Sequence, residues 1–161
     1  VLGNTEHLFT MDKNTAVAIG IGFPKAKRKV FEKIKDNGND FPSFIAGKAW
    51  VSNNVAVGKG VILYPGVSIN YQTVVEDFVI MNMNCAIGHD CTIGKFSALA
   101  PGVNLGGFTI LEEAVDMGIG AATKQNIIVG RDAVIGGQTM LIRNVEPGAK
   151  VAGVPGKTIG G

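Results

Sequence analysis

From Val51 onward, large apolar residues recur every six positions. The column runs Val51, Val57, Leu63, Ile69, Val75, Met81, Ile87, Ile93, Leu99, Leu105, Leu111, Met117, Thr123, Val129, Ile135 and Leu141, and only Thr123 is neither aliphatic nor Met. A second column, four residues after the first, holds small or β-branched side chains throughout, from Val55 and Val61 through Cys85, Cys91 and Ser97 to Thr139 and Val145. The register holds without a slip from 51 to 146. Six residues make one short strand and one corner, and three such units close a triangular coil of eighteen. Coils that pair in parallel put residues eighteen apart above one another. One large and one small residue per side then fill the prism, and about five stacked coils bury a core that one coil cannot. The position just after each large residue is Gly or Asn nine times in sixteen. Those residue types suit a backbone that must turn left-handed.

Residues 1–50 have a different pattern. Asn14–Gly20 is a short apolar run closed by glycine, which predicts a buried strand. Pro24 then opens a predicted helix with Val30, Phe31 and Ile34 as its apolar stripe, and Asn37-Gly38 ends it. The lysines between these positions read as its solvated face. The run "AIGIGFP" is too far from G-x-G-x-x-G to read as a phosphate cradle. The expected organisation is an α/β, Rossmann-like remnant over 1–46, a parallel β-helix over 47–147 and a tail over 148–161. The chain opens on "VLGNTEHLF" without an initiator Met, and the earlier strand–helix units of the first domain are expected to be absent.

Composition narrows the function classes. A net charge of +2 is too small to argue for nucleic acid or a membrane surface. Two cysteines make no disulfide framework, and there is neither a signal peptide nor a long apolar run, so a cytoplasmic protein is expected. The exposed threonine array of an ice-binding solenoid is not present in the outward positions.

Candidate chemistry centres on "CAIGHDCTIG", Cys85 to Gly94. The six-residue register turns Cys85 and Cys91 inward as core fillers. It leaves His89, two places after Ile87, facing out at a corner. Zinc needs three or four converging ligands, and one outward histidine with two inward cysteines does not supply them. No metal is expected. The pattern alone leaves His89 as either a surface histidine or a catalytic base. Gly107 lies eighteen residues on, and so one coil above it. Ile119 and Gly137 share the same hexapeptide place along another line of the prism.

The segment "MNMNCAIGHDCTIGKFSALAPGVNLGG" resembles the bacterial sugar O-acyltransferase and UDP-4-amino-sugar N-acetyltransferase family, within the hexapeptide-repeat left-handed β-helix superfamily. Asn82, His89, Asp90, Cys91, Ile93, Gly94, Phe96, Pro101 and Gly102 carry the resemblance. It implies left-handed coiling, a homotrimer, acetyl-CoA as co-substrate and a nucleotide-linked amino sugar as acceptor. It also implies His89 as general base, Asp90 as its partner and the Gly107 N–H as oxyanion donor. Ile119 and Gly137 would line the acetyl-CoA groove, and Asn82 would support the substrate. Ala98 stands where the family often has a second histidine. The tail "VAGVPGK" resembles the family's closing motif, which would put Lys157 near a phosphate of the coenzyme; a proline-kinked end to the solenoid is the other reading of the same residues. O-acetylation of a sugar or sialic acid hydroxyl, and a non-catalytic trimeric module, are the competing expectations.

Overall fold

The structure is a computed structural model, and it describes residues 4–160. From Phe44 the chain winds into a parallel β-solenoid of about six turns, built almost wholly of two-residue strands. Three sheets form the sides of a prism. In the first, Ile62, Ile80, Ala98 and Asp116 pair in succession, each eighteen residues after the last. The second runs from Trp50–Val51 to Met140–Leu141 and the third from Ala56–Val57 to Ile128–Val129. The turn count exceeds the five expected because strands form beyond the strictly periodic stretch. Phe44–Ile45 and Lys150–Ala152 both complete the first sheet's ladder, where an adjacent coil supplies the hydrogen-bond partners.

The two sequence columns fill the interior. Leu63, Ile69, Met81, Ile87, Ile93 and Leu99 are buried, as are Val61, Val67, Cys85, Cys91 and Val103 of the small column. Polar members of the small column bond to carbonyls of the coil: Thr73 Oγ1 donates to Gly88 O at 3.0 Å and Ser97 Oγ to Glu112 O at 3.1 Å. Among the described residues no buried side-chain N or O is left without a partner. Burial pushes the Cys85 thiol up to about 11 and raises that of Cys91 as well, so both remain protonated fillers.

The corners divide their labour differently from the expectation. The left-handed residue lies three places after the large aliphatic, not one. Gln72, Phe78, Asn84, Asp90, Phe96, Phe108 and others hold φ near +60° there, together with Gly60, Gly66, Gly102 and Gly120. The glycines just after the large residues serve a different need. A Cβ at Gly88 would meet Gly107 N at 2.6 Å, and one at Gly94 would meet Glu112 C at 2.5 Å. Successive coils approach too closely there for a side chain.

The register also slips once, against expectation. Val145 bridges to Val129 and Val151 pairs with Ile135, so the last turn is two residues short. The Asn144 side chain fills the gap by accepting the Ile128 N–H at 2.9 Å. Beyond it, Lys157–Thr158 turns back antiparallel on Lys150–Ala152 and closes the end of the prism.

Ahead of the prism the described residues form helices and no strand, so the α/β arrangement expected over 1–46 is not seen there. Residues 1–3, at the start of "VLGNTEHLF", lie outside the described residues. The expected strand at Asn14–Gly20 does not form. Val17 N–H reaches Asp40 O at 2.9 Å, and no neighbouring strand of the described residues extends that single contact into a ladder. The helix does form, as α1, Pro24–Ile34, followed by a short 3-10 turn that ends at Gly38 with φ 87°. Its stripe packs Phe31 against Phe78 at 4.4 Å between ring centres, and Phe78 stacks on Phe96. One lysine departs from the solvated face: Lys27 is 1% exposed. Its Nζ donates to Ser97 O at 3.4 Å. Burial lowers its pKa to about 7, opposed by the charge of Asp116.

Candidate active site

His89 sits at the corner between the second and third sheets, with Ala86–Ile87 before it and Thr92–Ile93 after it. Its Nδ1 lies 2.7 Å from Oδ2 of Asp90. A side chain seldom reaches its own chain neighbour so well. Here Asp90 occupies the left-handed position, φ 56°, and that turn brings the carboxylate back onto the ring. A carboxylate accepts only, so Nδ1 carries the proton and Nε2 is left as the basic nitrogen.

Gly107 lies on the next coil, directly against the ring. A Cβ built there would come within 2.8 Å of His89 Nε2, so any other residue would push the ring from its place. The column is tied through the backbone: Asp90 N–H donates to Tyr71 O at 3.0 Å, Phe108 N–H to His89 O at 3.0 Å and Asn126 N–H to Gly107 O at 3.0 Å. Among the described residues the Gly107 N–H itself finds no acceptor. The corner therefore presents a basic nitrogen beside an unsatisfied backbone donor. That pairing can remove a proton from a nucleophile while receiving negative charge on an oxygen.

Two aromatic rings complete the corner. Tyr71, one coil below, stacks on the imidazole at 5.4 Å between centres and 12° between planes. Phe108 meets it edge-on at 5.0 Å and 88°. Sequence reasoning missed both. The eighteen-residue step that located Gly107 above His89 locates Tyr71 below it, and that signal was available.

The other candidate residues fall elsewhere in the protomer. Ile119 and Gly137 stack at the corner between the first and second sheets, where Gln138 N–H donates to Ile119 O at 2.8 Å. Ile119 is exposed. A shallow groove across the second sheet separates this corner from the His89 corner, lined by Ser68, Asn70, Gly88, Asn104, Gly106 and Thr123. Asn82 begins the turn of a lower coil at the Ile119 corner, and its Oδ1 accepts the Met83 N–H at 2.8 Å. Ala98 is buried on the first sheet, and the structure does not bring it to His89. Near the end of the prism, Arg143, Asn144 and Lys157 line a further groove. Among the described residues no cluster of three His, Cys, Asp or Glu side chains forms a metal site. None of their helices is long and apolar enough to cross a membrane.

No family model matches the chain. Solved structures do. The acetyltransferase domain of PglB from Neisseria gonorrhoeae, in complex with acetyl coenzyme A, aligns with a TM-score of 0.94 and 27% identity over 99% of this chain and 78% of its own. PerB from Caulobacter crescentus, in complex with CoA and GDP-perosamine, aligns with a TM-score of 0.88 and 29% identity over 91% and 70% of the two chains. WeeI from Acinetobacter baumannii shares the fold at a TM-score of 0.91 and 23% identity, over 96% and 76%. The prism is of the left-handed type. The structural neighbours of this chain are thus hexapeptide-repeat acetyltransferases.

Proposed function

We propose that this chain is an acetyl-CoA-dependent sugar acetyltransferase, acting on the amino group of a nucleotide-linked sugar of the UDP-4-amino type in bacterial glycan biosynthesis. One observation carries the reading: His89 Nδ1 is held by Asp90 at 2.7 Å while Nε2 faces Gly107. In the reaction Nε2 takes a proton from the sugar amine as its nitrogen attacks the thioester carbonyl of acetyl-CoA. The carbonyl oxygen gains negative charge and receives the Gly107 N–H. The carbon–sulfur bond then breaks, and the CoA thiolate leaves and is protonated. Asp90 keeps the tautomer and supports the imidazolium that forms. Ile119 and Gly137 line the path of the coenzyme's arm, and a homotrimer sets that corner of one copy against the His89 corner of the next. Arg143 and Lys157 suit its phosphates, and Asn82 supports the acceptor. Acetyl-CoA and a nucleotide-linked amino sugar are bound by neighbours at 27% and 29% identity, which supports both substrate classes.

Acetyl-CoA consumption with UDP- and GDP-linked 4-amino sugars, against sialic acid and a hydroxy sugar, tests the reading. Transfer to the amine alone is expected, and reaction of hydroxyl acceptors only would replace N- with O-acetylation. His89→Ala should lower kcat roughly a hundredfold. Unchanged turnover in that variant would remove His89 as base, and no turnover by the parent with any acceptor would favour a binding module.

A further inference from the structure

Three phenylalanines occupy left-handed corner positions of the prism: Phe78, Phe96 and Phe108. The first two are buried, 1% and 6% exposed, beneath Phe31 of α1. Phe108 has no such cover and is 47% exposed. Tyr71 is exposed to the same degree. Neither ring fills the core, yet both contact the His89 imidazole, in the two arrangements that ring pairs favour, offset-stacked and edge-to-face.

The imidazole needs such support. Its terminal torsion is broad and nearly two-fold, and the corner faces solvent. One hydrogen bond, to the adjacent Asp90, fixes a distance but leaves the ring free to swing. Asp90 pins one edge of the ring, Gly107 bounds the other, Tyr71 covers a face, and Phe108 meets the ring at a right angle.

We propose that Tyr71 and Phe108 form an aromatic clamp that holds the His89 ring with Nδ1 on Asp90 and Nε2 toward Gly107. Both are positioning residues, acting through the imidazole. Their effect on turnover rests on the reading of His89 as the base, whereas their effect on the ring does not. The clamp works through ring faces, so the Tyr71 hydroxyl is dispensable and the ring is not.

The test uses the full chain, labelled with nitrogen-15, in long-range proton–nitrogen spectra at neutral pH. The chain has two histidines, so His89→Gln assigns the signals and His7 serves as an internal reference. The parent should show His89 as one Nδ1–H tautomer. Tyr71→Leu and Phe108→Leu should show averaged ring nitrogens with His7 unaltered, and Tyr71→Phe should match the parent. In turnover, Tyr71→Leu should lower kcat about tenfold with the KM for acetyl-CoA unchanged. An averaged His89 in the parent, or a parent-like His89 in Tyr71→Leu, overturns the clamp. Parent-like kcat in Tyr71→Leu overturns the positioning role. Should the parent transfer no acetyl group, the functional reading fails while the spectra still decide the clamp.

Discussion

At the scale of the residue, the corners where glycine follows the inward aliphatic give three consecutive positions different work. The first passes close to the next coil, the second points outward, and the third turns left-handed. At the candidate site these are Gly88, His89 and Asp90, with Gly106, Gly107 and Phe108 above. Gly88 therefore tolerates no side chain, since its Cβ would strike Gly107 N at 2.6 Å. Gly107→Ala should be nearly inactive yet folded, because its Cβ meets the imidazole rather than the core. Comparing kcat with the urea midpoint checks this, and equal loss of both would point to a folding defect. The outward direction of His89 was legible because a six-residue register fixes direction, and Gly107 above it because an eighteen-residue step fixes stacking; Asp90 as its partner came from the family resemblance alone, since no periodicity tells where a neighbouring carboxylate turns. The left-handed position was not legible. Glycine marks it at only some corners, and the glycines that drew notice answer to coil spacing instead.

At the scale of the element, α1 shows what binary pattern alone misses. Val30, Phe31 and Ile34 announced its buried stripe, and Lys27 falls on the same stripe, three and four residues earlier. A charge-based reading put it in solvent. Burial holds its pKa near 7, below the unfolded value near 10.5. Between these values the unfolded chain binds more protons than the folded one, so this group's contribution to stability rises with pH. Asp116 faces it, and burial raises that carboxyl's pKa, opposed by the charge of Lys27. Lys27→Met should therefore be more stable than the parent at pH 7, and the gap should narrow toward pH 8.5. Urea midpoints of both proteins across that window measure it, with the buried cysteines cancelling in the difference. A gap independent of pH would mean that Lys27 stays charged when folded. The strand expected at Asn14–Gly20 failed for a related reason: apolarity marks burial, but a strand also needs a ladder partner.

At the scale of the whole molecule, the prism is a stack in which each coil touches only its neighbours. The inward side chains of all three sheets form one continuous cluster along the axis. Leu99→Ala, at a position 1% exposed, should cost about 2–5 kcal/mol in urea unfolding. A value well under that would mean the neighbouring coils collapse into the cavity. The architecture was legible over nearly the whole repeat because every turn restates the same rule. Its end was not, because the shortened turn after Leu141 replaces a backbone partner with the Asn144 amide, which no periodicity announces.

The constant step between coils also makes the prism axis a ruler. Each coil adds about 4.8 Å, so Arg143, three coils beyond His89, stands roughly 14 Å along the axis from the imidazole. An acyl donor that presents its carbonyl to Nε2 and its charge to Arg143 and Lys157 must span that length. On the proposed reading, a donor as short as acetyl phosphate would engage one end or the other, and reach along the axis would select the carrier before any contact with the acyl group is made.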